Sequence, residues 1–211
     1  DAAGYSSPAV LTVNGAQQVV AFSGASVLGI DPRTGKPLWR HPWKTDYNCN
    51  IAVPLVIDGG VFISCGENHG SALLDVAEDG SVTERWSSNG TSSVLRNEWQ
   101  TSLLLDGALY GFDNVGSAGP VTHLACIDPL TGERRWEQKR FGKGNAIAAD
   151  GKIWCTTMEG ELVIVRADPG GFRELGRATV LTTTRQAPSL ADGKLFLRDG
   201  VEIVCLDLRR P

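Results

Sequence analysis

The chain has 211 residues, a formal net charge of −4, 25 glycines and one methionine. A surface that binds nucleic acid carries clustered Lys and Arg, whereas the longest basic run here is Lys139 to Lys143, so nucleic acid is excluded as an expected partner. No run of about 18 apolar residues is present, so this segment is predicted to contain no membrane span, and the many glycines indicate many turns.

An Asn-Gly or Asp-Gly pair recurs five times along the chain, with its glycine at Gly15, Gly59, Gly107, Gly151 and Gly193. Successive glycines are 44, 48, 44 and 42 residues apart. A short apolar run precedes each pair and an alternating run follows it. Because these dipeptides suit the positive φ angles of a type I′ turn, each pair predicts a two-residue β-hairpin.

A second phrase recurs at the other end of the same units. It reads IDPRTGKPLW at Ile30–Trp39 and returns as IDPLTGERRW at Ile127–Trp136. The Asp carboxylate accepts from backbone N–H groups two residues on, Pro sets φ, and Gly takes the left-handed position, so the phrase predicts a turn and a further strand.

Other copies of the phrase are degenerate. EDGSVTERW places its Trp two residues late, and ADPGGFREL carries Leu175 where Trp is expected. We predict that the structural residues of the repeat are Asp31, Gly35, Trp39, Trp86, Asp128, Gly132, Trp136, Asp168 and Asp207.

Four antiparallel strands in about 40–50 residues have the length of one propeller blade. The chain is therefore predicted to be all-β, a single β-propeller domain with blades at about 7–41, 50–87, 99–138, 144–179 and 186–207. A blade cannot bury both faces alone, so the recurring Trp is expected to fill the space between adjacent sheets.

The fifth unit stops after its third strand, which leaves about four and three-quarter blades. Because an open seam exposes unpaired strand edges, we expect these residues to be the C-terminal part of a seven- or eight-bladed ring in a longer chain. The alternative is a five-bladed ring with one thin blade.

The phrases DPRTGKPLW and DPLTGERRW, each following an Asn-Gly or Asp-Gly hairpin, resemble the pyrroloquinoline-quinone-like (PQQ-like) propeller repeat family. The stretch Trp43–Val76 and the closing EIVCLDLRR look most like secreted members from bacteria such as planctomycetes. The family includes quinoprotein alcohol dehydrogenases and the periplasmic lipoprotein of outer-membrane barrel assembly. The resemblance implies a periplasmic or extracellular location, with any signal peptide upstream of this segment.

The resemblance also implies what a dehydrogenase would need, namely a quinone held by adjacent cysteines, a calcium ion bound by acidic and amide side chains, and a catalytic Asp. The five cysteines, Cys49, Cys65, Cys126, Cys155 and Cys205, are not adjacent, and the three histidines lack metal-ligand spacing. We therefore predict no cofactor, no metal ligands and no catalytic residue. The cysteines are predicted to be small buried hydrophobes on strands.

The connections from the fourth strand of one unit to the first strand of the next cross one face of a propeller towards its channel. Polar and aromatic side chains that converge from several blades can form a binding site. The ligand-binding residues predicted on this loop face are Tyr47, Asn48, Asn50, Asn97, Glu98, Trp99, Gln100, Asn145, Arg185 and Gln186. Alternatively, these side chains only satisfy the loop backbone and channel water.

Fold alone does not determine function. The first hypothesis is an exported, non-enzymatic binding or scaffold propeller that engages a protein, a peptide or a small ligand at the loop face. The second is a quinone- and calcium-dependent alcohol or sugar dehydrogenase whose cofactor site is degenerate or lies upstream. A third is a sugar-binding or hydrolytic propeller, in which Glu98 would be the acid to test.

Overall fold

A computed structural model describes residues 1–67, 69–116 and 121–209. Within these ranges the chain forms 19 β-strands and two three-residue 3-10 turns, Asp46–Asn48 and Gly90–Ser92. The strands belong to five antiparallel sheets that follow one another along the chain. The prediction of an all-β propeller with about five blades is therefore confirmed.

Each sheet is a meander in which every strand pairs with the next one in the chain. The first sheet contains β1 (Ala9–Val13), β2 (Ala16–Phe22), β3 (Ser26–Ile30) and β4 (Pro37–Pro42), and the second contains β5 (Leu55–Ile57), β6 (Gly60–Cys65), β7 (Gly70–Val76) and β8 (Val82–Asn89). The third contains β9 (Leu103–Leu105), β10 (Ala108–Val115), β11 (Val121–Ile127) and β12 (Arg134–Gln138). The fourth contains β13 (Gly144–Ala149), β14 (Lys152–Thr157), β15 (Glu161–Arg166) and β16 (Glu174–Thr179). In the described residues the fifth has three strands, β17 (Ser189–Ala191), β18 (Lys194–Arg198) and β19 (Ile203–Asp207).

The first two strands of every sheet are joined by the predicted two-residue turn. Asn14 and Gly15 have φ angles of 50° and 73°, and the corresponding angles of the other four pairs lie within 10° of these values. Val13 pairs with Ala16 directly across the turn. Positive φ at both central residues is the requirement of a type I′ turn, so the hairpin prediction is confirmed at all five positions.

Successive sheets pack face to face through hydrophobic clusters. Each cluster takes side chains from two neighbouring sheets, for example Val20 with Leu74, Leu73 with Leu109, Phe112 with Ile153, and Trp154 with Leu195. The first strands of neighbouring sheets also contact each other, β1 with β5 and β9 with β13. The core is therefore divided into layers between blades, as stacking of a repeated sheet requires.

The repeated tryptophan packs against the turn of the following sheet. Trp86 donates its indole Nε1–H to the carbonyl of Pro129 at 2.9 Å. A Cβ atom on Gly132, in the same turn, would lie 2.6 Å from Cε3 of the Trp86 ring. Trp136 likewise donates to the carbonyl of Asp168 at 2.8 Å. The Trp of one copy thus contacts the turn of the next copy, and this contact explains why the two features recur together.

The first boundary follows the same plan with a different hydrogen bond. Trp39 is buried, and its Nε1–H donates to Oε1 of Gln18 at 2.7 Å. A Cβ on Gly80 would lie 3.9 Å from Cβ of Trp39 and 2.6 Å from the carbonyl oxygen of Leu38. The turn of the second sheet therefore also passes directly over the last strand of the sheet before it.

A β-bulge in each fourth strand sets the position of the tryptophan. Trp39, Trp86 and Trp136 pair with residues of β3, β7 and β11, and the register shifts immediately beside each pair. Trp86 therefore lies at the same position in the strand pairing as Trp39 and Trp136. The two extra residues between Gly80 and Trp86 belong to a longer β7–β8 hairpin. In the fourth sheet Gly176 occupies this position, whereas Leu175 is the bulged residue and is 41 % exposed. The assignment of Leu175 to the tryptophan position is wrong, because the fourth sheet has one more residue between Gly171 and the bulge than the first and third sheets have after their turn glycines.

The predicted aspartates each close a turn. Oδ1 of Asp31 accepts from the backbone N–H of Arg33 at 2.8 Å and of Thr34 at 3.3 Å, and the Arg33 bond is the main cause that lowers the pKa of Asp31. The Oδ1 atoms of the other three predicted aspartates also accept from the backbone N–H two residues later in the chain. These distances are 2.9 Å for Asp128, 2.8 Å for Asp168 and 3.1 Å for Asp207. Gly35 and Gly132 take the left-handed conformation there, with φ of 71° and 75°.

Three of the five cysteines are buried on strands, as predicted, and two are not. Burial raises the pKa of Cys65 to about 12 and that of Cys126 to about 11, and it raises the pKa of Cys155 as well. Cys49 lies half-buried in the β4–β5 connection, and Cys205 is exposed on β19.

Candidate binding site at the sheet connections

Nine of the ten predicted ligand-binding residues lie in the connections that follow β4, β8 and β16, and the tenth, Asn145, is the second residue of β13. The structure separates these residues into side chains that hold the connections in place and side chains that meet around one cavity. Two further residues belong to neither group.

Asn50 holds the β4–β5 connection. Its side chain is fully buried, and its Nδ2 donates to the carbonyls of Ser23 at 2.7 Å and Trp43 at 2.9 Å. Its Oδ1 lies 3.2 Å from the hydroxyl of Thr45. Because every polar atom of this amide is used within the protein, Asn50 fixes the loop backbone.

Asn97 and Gln100 hold the β8–β9 connection in the same way. Asn97 is fully buried, and its Nδ2 donates to the carbonyl of Phe112 at 2.8 Å, while its Oδ1 accepts from the hydroxyl of Ser102 at 2.7 Å. Gln100 accepts from the N–H of Phe112 at 3.2 Å and donates to the carbonyl of Thr101. These bonds attach the connection to β10 and so determine where Glu98 and Trp99 lie.

Asn145 positions the next connection. Its Nδ2 donates to the carbonyl of Arg185 at 2.8 Å. Gln186 contributes its backbone: its carbonyl accepts from the hydroxyl of Thr156 at 3.0 Å, and its side chain is exposed. The β16–β17 connection is thereby tied to β13 and β14.

Trp99 is where three connections meet. The Nζ atom of Lys143 lies 4.5 Å from the centre of its ring, and the Cζ atom of Arg185 lies 4.3 Å from it. A cation over an indole face is attracted by the ring quadrupole. The three side chains come from the β8–β9, β12–β13 and β16–β17 connections, so the predicted convergence of several blades is present for Trp99 and Arg185.

Glu98 lies beside this cluster and is almost completely buried. Its Oε2 accepts from Nζ of Lys143 at 2.5 Å, and the two side chains are only 6 % and 16 % exposed. Its Oε1 is buried without a hydrogen-bond partner among the described residues. An unpaired buried carboxylate oxygen is costly and uncommon, so Glu98 is incompletely satisfied by the donors of the described residues.

A cavity of about 120 Å³ adjoins Glu98 and Trp99 and is further lined by Cys49, Ile51, Gly66 and Glu67. The β6–β7 loop packs directly against Glu98. A Cβ added to Gly66 in this loop would lie only 2.4 Å from Cγ of Glu98, so there is no room for a side chain at that position. Burial, followed by the negative charges of Glu67 and Glu98, raises the pKa of Cys49. Two carboxylates, Glu67 and Glu98, line the cavity, with Lys143 paired to Glu98, and the Cys49 thiol keeps its proton at neutral pH.

Tyr47 and Asn48 do not line this cavity. Both have left-handed backbone conformations, with φ of 61° and 56°. Tyr47 is 81 % exposed. Asn48 lies against the β2–β3 turn, because a Cβ added to Gly24 would lie 2.7 Å from the Cβ of Asn48. A ligand role for these residues stays a prediction.

Sequence reasoning missed Lys143, Glu67 and Cys49 as members of the site. Lys143 stands between Gly142 and Gly144 in a sheet connection, and a single cation between two glycines is the signal that could have identified it. Glu67 and Cys49 carry no comparable signal, because they come from two loops that only the fold brings together.

No group of three or more His, Cys, Asp or Glu side chains that could hold a metal ion is formed by residues 1–67, 69–116 and 121–209. The chain also lacks an adjacent cysteine pair. In the same ranges, no helix is long and apolar enough to cross a membrane.

Comparison with known proteins agrees with this fold. Residues 1–115 match the family model PQQ_2, described as outer membrane protein assembly factor BamB. No curated protein matches the chain.

The solved structures that are similar to the chain include the following two. BamB from Moraxella catarrhalis is 15% identical, with a TM-score of 0.49, and the match covers 89% of this chain and 68% of that one. The quinohemoprotein alcohol dehydrogenase ADHIIG from Pseudomonas putida HK5 is 14% identical, with a TM-score of 0.61 over 93% of this chain. The present chain spans 39% of the length of that dehydrogenase, and this likeness shows a shared fold.

Proposed function

Because the chain belongs to the PQQ-like family whose model is described as outer membrane protein assembly factor BamB, we propose that it is a non-enzymatic binding or scaffold propeller. It engages a protein or peptide partner at the cavity beside Glu98 and Trp99. It acts after export, in the periplasm or outside the cell, in keeping with a family described by the assembly of outer membrane proteins.

The unpartnered Oε1 atom of Glu98 carries this proposal. Lys143 satisfies only the other oxygen of that carboxylate, and Glu67 adds a second acidic group to the cavity wall. A charged N–H donor suits such a site better than a neutral one, because hydrogen bonds between ionised groups are stronger. The ligand group that fits is the cationic end of a Lys or Arg side chain, with Trp99 and Ile51 beside its apolar stem.

The size of the cavity defines how a partner would bind. About 120 Å³ accommodates one side chain and not a folded segment. Stable protein interfaces bury about 1,200–2,000 Å² in total, so the remaining contacts would come from the surrounding connections, where Tyr47 and Gln186 are exposed. The inserted cation is the anchor, and these connections supply the rest of the interface.

Selection of a random peptide display library on the whole chain tests the proposal. We expect the enriched peptides to carry a Lys or Arg whose replacement abolishes binding. Glu98→Gln should weaken binding of such a peptide at least about tenfold in calorimetry, which corresponds to about 1.4 kcal/mol. Glu174→Gln, which removes the same charge on exposed strand β16, should leave binding unchanged.

A second variant separates ligand binding from folding, since Glu98→Gln also disturbs the pair with Lys143. Cys49→Leu narrows the cavity and leaves that pair intact, so it should block the peptide without lowering the melting temperature by more than a few degrees. The proposal fails if no basic peptide is enriched, or if both variants bind the peptide as well as the unmodified chain does.

A further inference from the structure

A second and larger groove, of about 420 Å³, lies beside the third sheet. It shares no lining residue with the Glu98 cavity. Four cationic side chains line it, together with the hydroxyl groups of Thr91 and Ser92; the cations are Arg96, Arg134, Lys139 and Arg140. Four cations around one groove are unexpected in a chain whose net charge is −4.

Two of these cations form a fixed floor. Arg96 is 4 % exposed and donates through Nε and NH2 to the two carboxylate oxygens of Asp113, at 2.6 and 2.9 Å. Arg134 donates to Asp113 at 3.2 Å and to Glu137 at 2.9 Å. Because two arginines face two carboxylates, this network is electrically balanced, and its paired geometry keeps both guanidinium groups in place.

The other two cations lie at the surface and add a net charge of two. Lys139 and Arg140 are exposed, and their side chains form no ion pair with any described residue. Arg140 has a left-handed backbone conformation, with φ of 53°, and its N–H donates to Nδ1 of His123 at 3.1 Å. A non-glycine residue in this conformation is strained, and the bond to His123 holds it at the groove.

We propose that this groove is a binding site for an oxyanion group of a small ligand, a phosphate or a carboxylate. Lys139 and Arg140 supply the charge, and the hydroxyl of Thr91 supplies a further donor on the same groove. Arg96 and Arg134 neutralise Asp113 and Glu137, so these two carboxylates do not repel the anion. The site is independent of the proposed peptide cavity.

Titration of the ¹⁵N-labelled chain with inorganic phosphate, followed by amide chemical shifts, tests this site. We expect saturable shifts at residues 91–93, 139 and 140, and at least about a tenfold loss of affinity in the double variant Lys139→Gln/Arg140→Gln. The matched control, Arg33→Gln/Lys36→Gln, removes two exposed charges from the β3–β4 turn and should bind as the unmodified chain does. Both double variants change exposed residues, so both should fold.

A parallel titration with citrate distinguishes the two oxyanions. Tighter binding of phosphate identifies a phosphate-bearing ligand, and tighter binding of citrate identifies a carboxylate-bearing one. The proposal is overturned if neither anion gives saturable shifts at these amides. It is equally overturned if the control variant loses as much affinity as Lys139→Gln/Arg140→Gln, since the attraction would then be a property of overall charge.

Discussion

The contact between a tryptophan and a glycine of the following sheet is the smallest unit of this fold. At Gly132 two requirements coincide, a left-handed backbone with φ of 75° and a ring of Trp86 against the missing side chain. Gly35 has nearly the same backbone, with φ of 71°, but has no atom within 4 Å of an added Cβ. The two glycines therefore separate the cost of backbone conformation from the cost of a steric clash.

Alanine substitution at both positions measures the two costs. Gly35→Ala should lower the free energy of unfolding by about 1–2 kcal/mol, because only the left-handed conformation is penalised. Gly132→Ala should cost a further 1–3 kcal/mol, roughly, since the methyl group overlaps Trp86 and the ring must move. Urea unfolding of both variants, followed by circular dichroism, checks the difference. Equal losses would show that Trp86 does not constrain the turn.

Single residues also show how far the site could be predicted from sequence. Glu98, Trp99 and Arg185 are predicted as ligand-binding residues because charged and aromatic residues in a sheet connection favour a binding role, and this role stays a prediction. Asn50 and Asn97 were identified for the same reason, but their amides hold the loop backbone. A side-chain amide carries the same donor and acceptor as a peptide group, so sequence cannot tell whether it will face a ligand or the backbone.

Among the connections between sheets, the one that follows β16 depends on one carboxylate. Asp199 lies in the β18–β19 turn, and its Oδ2 accepts from the N–H and the hydroxyl of Thr182 at 2.9 and 2.7 Å. Its Oδ1 accepts from the N–H groups of Val201 and Glu202 at 2.7 and 2.8 Å. The backbone bond from Thr182 is the largest cause that lowers the pKa of Asp199 far below its ordinary value of 3.8.

The lowered pKa gives this turn a pH dependence of known sign. A carboxylate with a depressed pKa stabilises the folded state above its unfolded pKa, and this contribution disappears as the pH falls through the folded value. Asp199→Asn should therefore be less stable than the unmodified chain at pH 7, and the gap should narrow as the pH falls below 3.8. Thermal unfolding between pH 2 and 7 measures it. A stability gap for Asp199→Asn that stays constant over this pH range would contradict the argument.

The strands differ in how far sequence could define them. The five hairpins were predictable because Asn-Gly and Asp-Gly turns are local, needing only two residues with positive φ. The β-bulges were not, since a bulge is a property of two paired strands. Leu175 is misplaced because the fourth sheet has one extra residue between Gly171 and its bulge, and Trp86, which looks two residues late, pairs in register with Leu73.

At the scale of the whole molecule, each sheet is stabilised chiefly by the sheets beside it. The two middle strands of the second and third sheets are largely buried on both faces, as in β6, where all six residues are buried. The fifth sheet buries Leu195 and Leu197 against the fourth sheet, while Phe196 and Ile203 remain 39 % and 72 % exposed. Stability in such an array is approximately a sum over sheets and their interfaces.

This unequal burial predicts a gradient of local stability. Amides of β6 and β10 should exchange with deuterium most slowly, and those of β17, β18 and β19 should exchange faster, through opening of the fifth sheet alone. Leu195→Ala removes a fully buried side chain from the interface with the fourth sheet and should weaken that interface by about 2–5 kcal/mol. Exchange in the fifth sheet should then accelerate while β6 is unaffected. If Leu195→Ala accelerated exchange equally in all sheets, the chain would unfold as one cooperative unit and the blades would not be independent.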